Sequence, residues 1–382
     1  MLSPFAFATA TEILFGRGQM AGAAARVAAM GRVVLLVHGS TGARAEGLAR
    51  ALEQQGCSLI RLSVGREPDL PMIEDALPLA RGAEVVLAMG GGAVIDAGKA
   101  LAACLTMRRP LMDHLEVIGQ GLPLDQAPLP FVAIPTTAGT GAEVTRNAVI
   151  GVPEARRKVS LRDARMLPRL AIVDPDLTDG CPRGVTLASG LDAITQVIEP
   201  YVSTRANAMT DALCRDAIPQ GLAALMRLME SEDAEARDRM AWVSLCGGLA
   251  LANAGLGVVH GLAGPLGGLT GAAHGAICGV LLPHGLRANR AAAGDPALAA
   301  RLDQVAGWIG AAFGVSGANM DQAARLLADW SRNCGLPSLT ALGIDADAQL
   351  RAAQTAASSS SMKANPAVLS PDALHALMRD AG

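Results

Sequence analysis

Short β-branched runs alternate with helical stretches up to about residue 185 and then stop. The runs are VVLLV (33–37), LIRLSV (59–64), EVVLAMGGG (84–92), FVAIPTT (131–137) and LAIVDP (170–175), and a helix is expected to start at about Ile95. Strands spaced by helices of this length predict a Rossmann-like parallel α/β sheet. Beyond that point Ala/Leu-rich segments keep helical spacing to the end, broken at Gly/Pro clusters near 255–271 and 335–337, so the second half is expected to be all helical. The Pro-, Gly- and Asp-dense stretch PDLTDGCPRG (175–184) marks the junction, giving an α/β domain over 1–182 and a helical domain over 183–382.

Charge narrows the function classes. The 32 basic and 35 acidic residues nearly balance, and no Lys/Arg block with interleaved aromatics is present, so a nucleic-acid partner is not expected. Met240 to Leu286 holds no Asp, Glu, Lys or Arg, which raises the question of a membrane span. Its glycines, two prolines, Asn253 and three histidines instead suggest a buried helical core crossed by a polar site. Seven cysteines at irregular spacing, with no CxxC, fit a reducing, cytoplasmic compartment. The N-terminal stretch has no basic segment ahead of an apolar one and is expected to be folded protein.

Two glycine-rich turns follow strands. MGGGAVIDAGKA (89–100) opens a helix, so backbone N–H groups around Gly91, Gly92 and Ala93 can approach a pyrophosphate, with Asp96 expected in the first helical turn. IPTTAGTGAEVT (134–145) offers the hydroxyls of Thr136, Thr137 and Thr140. A pair of such turns in one parallel sheet favours a nucleotide, although tight turns also need glycine for geometry alone. The GxGxxA match at Gly16–Ala21 precedes the first long strand and is read as coincidental.

In the helical half, Asp192 and Gln196 lie four apart and share a helix face, while His260 and His274 lie fourteen apart in the glycine-rich run. The four could converge on one metal ion. Equally, Asp192 could be a carboxylate of a helical N-terminal turn and each histidine a core residue bonded to backbone. His114, His284 and His375 are read as structural.

The ordered motifs GGGAVIDAGKA, AIPTTAGTGAEVT, KVSLRDARMLPRLAIVDPDLT, GLDAITQVIEPYVS and GVVHGLAGPLGGLTGAAHGAICGVLLPH resemble the iron-containing (group III) alcohol dehydrogenases from about Phe15 to 365–366. The resemblance implies an N-terminal dinucleotide-binding domain, a C-terminal helical domain and a catalytic Fe²⁺ or Zn²⁺. It also implies hydride exchange between NAD(P) and a small alcohol, aldehyde or ketone, and a homodimer or higher homo-oligomer. Matched by position, the family's aspartate ligand falls on Asp192 and two histidine ligands on His260 and His274, while the third histidine position holds Gln196. A carboxamide oxygen is a weaker, neutral donor than imidazole, so the site is expected to be weaker or more selective, or completed by water. The further histidine that many members place four residues after the first C-terminal ligand is here Gly264, which removes the usual proton relay.

Where NAD-preferring members place an aspartate after the first strand, this chain has Gly39 followed by Ser40, with Arg44 nearby, which leans the cofactor toward NADP. Lys158 occupies the family's lysine position and is expected to face cofactor or substrate. Maleylacetate reductases share the architecture and often depart from the metal pattern, so Gln196 leaves a metal-independent reading open. Loss of catalysis, leaving a nucleotide-binding protein, is the alternative from another class.

Overall fold

The computed structural model describes residues 4–357 and 359–382; Met1, Leu2 and Ser3 of the N-terminal stretch and Ser358 of the polar segment 358–368 lie outside the described residues. The chain forms two compact units. One comprises Thr9–Thr137 with Gly141–Asp179, and the other Gly180–Gly382 together with residues 4–8 and Ala138–Thr140. Both short segments fall within the first half of the sequence yet group with the helices. The backbone of Ala8 explains its own placement, exchanging two hydrogen bonds with the Asn253 amide at 2.7 and 2.9 Å.

The α/β unit runs β1 (Ile13–Phe15), α1 (Ala23–Ala28), β2 (Val33–Gly39), α2 (Glu46–Gln54), β3 (Ser58–Val64), α3 (Leu70–Ala76), β4 (Val85–Gly90) and α4 (Gly92–Cys104). It continues through the short α5 (Leu111–His114), β5 (Phe131–Pro135), β6 (Asn147–Val152), β7 (Arg157–Arg162) and β8 (Leu170–Val173). Six strands form a parallel sheet in the order β1-β8-β5-β4-β2-β3. Successive residues enter opposite cores: Leu35, Val37, Val86 and Ala88 pack on one face, Val34, Leu36, Val85 and Leu87 on the other. Burial on both faces explains why β2, β4 and β5 read as continuous apolar runs, while β3, at the sheet edge, is largely exposed and alternates.

Two features escape the sequence pattern. β1 is three residues long, too short for a period, and β6 pairs antiparallel with β7 outside the main sheet. α4 also begins at Gly92 rather than near Ile95, so Asp96 lies beyond the first turn, contrary to expectation. Three consecutive glycines hide the start because none carries a side chain with which to mark the helical period.

The helical unit comprises α6 (Arg183–Val202), α7 (Ala208–Glu230), α8 (Ala234–Ala254), α9 (Val258–Thr270), α10 (His274–Ala291), α11 (Pro296–Ala312), α12 (Met320–Asn333), α13 (Ala346–Ala356) and α14 (Pro371–Asp380). Its core joins Leu191, Ile194 and Ile198 of α6 to Ile218, Leu222 and Leu225 of α7 and to Ile277 and Leu281 of α10. The uncharged run from Met240 is divided among α8, α9 and α10. Among the described residues no single helix is long and apolar enough to cross a membrane; α8 and α9, which together would pass by length and composition, bend by 98°.

Candidate metal centre and nucleotide turns

Strand order decides where a ligand meets the sheet. β3 lies to one side of β2 and β4 to the other, so the chain reverses direction across the sheet between β2 and β4. In open parallel sheets such a switch point leaves a crevice at the carboxyl ends of the strands. The register pairs His38 with Met89 and Gly90 with Pro135, which brings the residues after β2, β4 and β5 to one edge. Gly39 and Ser40, Gly91 to Ala93, and Thr136 and Thr137 are therefore neighbours by topology.

Gly91 caps α4 with an extended backbone and no side-chain bond to the helix, leaving first-turn N–H groups unclaimed by a cap. A Cβ at Gly91 would meet the Thr137 hydroxyl at 3.4 Å, so the two turns touch. At the end of β2 a cavity of 280 Å³ is lined by His38, Thr41, Gly42, Glu46 and Arg61 among others. Glu46, the first residue of α2, and Arg61 of β3 pair at 2.8 Å; neither stands out in the sequence, because they meet only through the packing of α2 on β3. Arg44, expected beside Ser40, donates to the Leu177 carbonyl at 3.0 Å. Lys158, on β7, is mostly buried and ion-paired with Glu67. Thr140 lies in the segment that groups with the helical unit, where a Cβ at neighbouring Gly139 would approach the Cβ of Ser189 within 2.8 Å.

The second constellation lies wholly within the helical unit. α6 carries Asp192, Gln196 and Glu199 at i, i+4 and i+7, one face of a helix. Asp192 stands ten residues into that helix, which excludes the N-terminal-turn reading. α9 contributes His260 and α10 contributes His274 and, one turn later, Cys278. Asp192, His260, His274 and Cys278 each place a donor atom so that all lie within 4.8 Å of one another. His260 Nε2 is 3.3 Å and His274 Nε2 3.9 Å from Asp192 Oδ1; Cys278 Sγ is 3.6 Å from His274 Nε2.

Glu199 orients this group. One carboxylate oxygen accepts from the Val259 backbone N–H at 2.7 Å and the other from His260 Nδ1–H at 2.7 Å. Such a contact selects the tautomer whose Nε2 lone pair faces the cluster. It also anchors the start of α9, where Asn365 accepts from the Val258 N–H. Glu199 was missed in the sequence although its i+7 spacing from Asp192 was there to be found. Cys278, four residues after His274, carries no signal of its own in the sequence, because a lone cysteine outside any CxxC reads as a core residue; all seven cysteines are free.

Asp192 Oδ1, Gln196 Oε1 and His260 Nε2 are buried without a hydrogen-bond partner. Close approach without bonding alignment is costly for buried polar atoms unless something satisfies them together. Burial alone would raise the Asp192 carboxyl, but His260, His274 and the Gln196 amide outweigh it and hold it at about 2. Burial likewise opposes charge on the imidazoles, yet the Cys278 sulfur and the surrounding carboxylates raise His260 well above its usual value and His274 to about 9. The spot thus demands positive charge, which either protons or a cation would supply, and its donor set fits a divalent metal. At Gly264, one turn after His260, a Cβ would meet nothing within 4 Å.

Comparison with known proteins assigns both halves. The family described as iron-containing alcohol dehydrogenase matches residues 10–175, and the Fe-containing alcohol dehydrogenase family C-terminal domain matches 186–382. The chain is 33% identical to alcohol dehydrogenase 4 of Schizosaccharomyces pombe over 82% of its own length and 75% of that protein. It is 37% identical to lactaldehyde reductase of Escherichia coli over 58% of each chain. Among solved structures, a 1,3-propanediol oxidoreductase superposes with a TM-score of 0.88 at 30% identity, covering 100% of both chains. An alcohol dehydrogenase from Oenococcus oeni gives 0.87 at 28% identity, covering 99% of this chain and 100% of its own.

Proposed function

The chain belongs to the iron-containing alcohol dehydrogenase family and is a metal-dependent alcohol or aldehyde oxidoreductase, and from that premise we propose that it moves hydride between NADP(H) and a small alcohol, aldehyde or ketone. The observation that carries the metal assignment is the pair of buried, unpartnered atoms Asp192 Oδ1 and His260 Nε2 facing one another at 3.3 Å. Asp192, His260 and His274 would hold the metal, with Gln196 beside them. When bound, such a cation polarises a carbonyl and lowers the pKa of an alcohol.

The residues of the chain do the rest. Glu199 keeps a proton on His260 Nδ1 and so keeps Nε2 available. The N–H groups of Gly91, Gly92 and Ala93 bind the pyrophosphate at the start of α4, and Thr136, Thr137 and Thr140 donate to phosphate or ribose. Lys158, paired with Glu67, holds cationic charge beside the cofactor or substrate. Gly39 and Ser40 present no carboxylate to a 2′-phosphate, and the cavity beside them suits an adenosine moiety. Gly264 offers no imidazole, so an alcohol proton leaves by water or cofactor ribose. Cytoplasmic location and a homo-oligomeric state complete the reading.

Protein purified under low oxygen without chelator should hold about one Fe or Zn per chain. It should also oxidise NADPH faster than NADH across small aldehydes, and lose turnover on metal stripping. His260→Ala should lose metal and turnover while keeping cofactor binding, and Gly39→Asp should penalise NADPH more than NADH. Full activity in metal-free protein would overturn the metal assignment.

A further inference from the structure

Asp192, His260 and His274 leave a tetrahedral divalent ion one donor short, and a neutral carboxamide such as that of Gln196 is a weak ligand. Three observations bear on it. Cys278 Sγ belongs to the same cluster as Asp192, His260 and His274, with every donor within 4.8 Å of the others. Its place one helical turn after His274 projects both side chains from the same face of α10, and the sulfur lies 3.6 Å from His274 Nε2. Cys278 is fully buried, so its sulfur is shielded from solvent.

We infer that the thiolate of Cys278 is the fourth ligand, giving an Asp192/His260/His274/Cys278 centre that takes Zn²⁺ in preference to Fe²⁺. The inference rests on the metal-dependent reading above. On binding, the metal–sulfur bond forms as the thiol proton leaves to solvent, with no change of oxidation state. A carboxylate and a thiolate together balance the charge of a divalent ion, and a soft sulfur donor with two imidazoles suits zinc.

Cobalt(II) reads the assignment directly, because a thiolate ligand produces an intense near-ultraviolet charge-transfer band that nitrogen and oxygen ligands do not. Full-length protein stripped with chelator should develop the band on adding Co²⁺ and saturate at about one ion per chain. Cys278→Ser should bind Co²⁺ without the band, and Gln196→Ala should keep it. Stripped wild type offered equal Zn²⁺ and Fe²⁺ without oxygen should retain zinc by elemental analysis. Stoichiometric Co²⁺ uptake by wild type without the band, which needs no variant to fold, overturns the role of Cys278 and leaves the metal reading standing. No uptake of Co²⁺ or Zn²⁺ by wild type overturns the metal reading itself.

Discussion

Lys99 and Glu143 show how burial sets charge at single residues. Both are almost fully buried in the α/β unit, and the Lys99 ammonium donates to Thr145 and to the Asn147 carbonyl. Burial lowers Lys99 to about 8 against the pull of Asp96 and Glu143, and raises Glu143 to about 7 against the pull of Lys99. A carboxyl with a raised folded-state value binds its proton more tightly folded than unfolded, so stability falls as pH rises from 4.5 through about 7. Glu143→Gln should flatten that part of the urea-midpoint profile, removing a slope of at most about 1.4 kcal/mol per pH unit. For Lys99 the sign reverses: the unfolded chain holds the proton up to 10.5, so stability should rise between about 8 and 10.5. An unchanged midpoint profile in Glu143→Gln would show that this carboxyl does not set the slope.

Among elements, α4 on β4 is the contact that shapes the glycine-rich turn at the start of α4. Gly98 lets the helix approach the sheet: a Cβ there would meet Ala88 Cβ at 2.7 Å and Phe131 at 2.8 Å. Gly98→Ala should destabilise by about 1–3 kcal/mol through overpacking, despite the gain of roughly 0.5–1 kcal/mol that alanine brings to a helix interior. Gly307, inside α11 with nothing within 4 Å of a Cβ, makes the control, and Gly307→Ala should stabilise by that propensity gain. Equal effects of the two in chemical denaturation would mean that propensity, not packing, governs α4. The glycine-rich segments thus serve two ends, close packing at Gly98 and an uncapped helix start at Gly91.

Across the whole molecule, α6, α9 and α10 bring residues up to 86 positions apart in sequence, Asp192 and Cys278, within one ion's reach. A metal that binds the folded arrangement and not the unfolded chain stabilises by mass action, about 4 kcal/mol at a thousandfold excess over Kd. Chelator-treated protein should therefore melt at lower temperature and recover on adding Zn²⁺. His260→Ala, which keeps the same helices without the imidazole, should show no such recovery. A melting temperature indifferent to metal in wild type would remove this stabilisation.

How much of this was legible follows from what each signal needs. Five of the six sheet strands, the helical second half and the motif order were readable because a buried parallel strand leaves a short apolar run bounded by turn residues and an amphipathic helix leaves a local period. The same locality placed Asp192 and Gln196 on one helix face and His260 and His274 in the glycine-rich run, and membership of the family followed from the order of whole motifs. Three-residue β1, the β6–β7 hairpin and the glycine start of α4 carry too short or too bare a pattern to be read. Glu199 and Cys278 were in plain view as residues, but their value depends on which helix faces turn toward one another. That the Cys278 sulfur meets two imidazoles and a carboxylate is settled by helix packing, since side-chain chemistry is written locally whereas convergence is a property of the folded core.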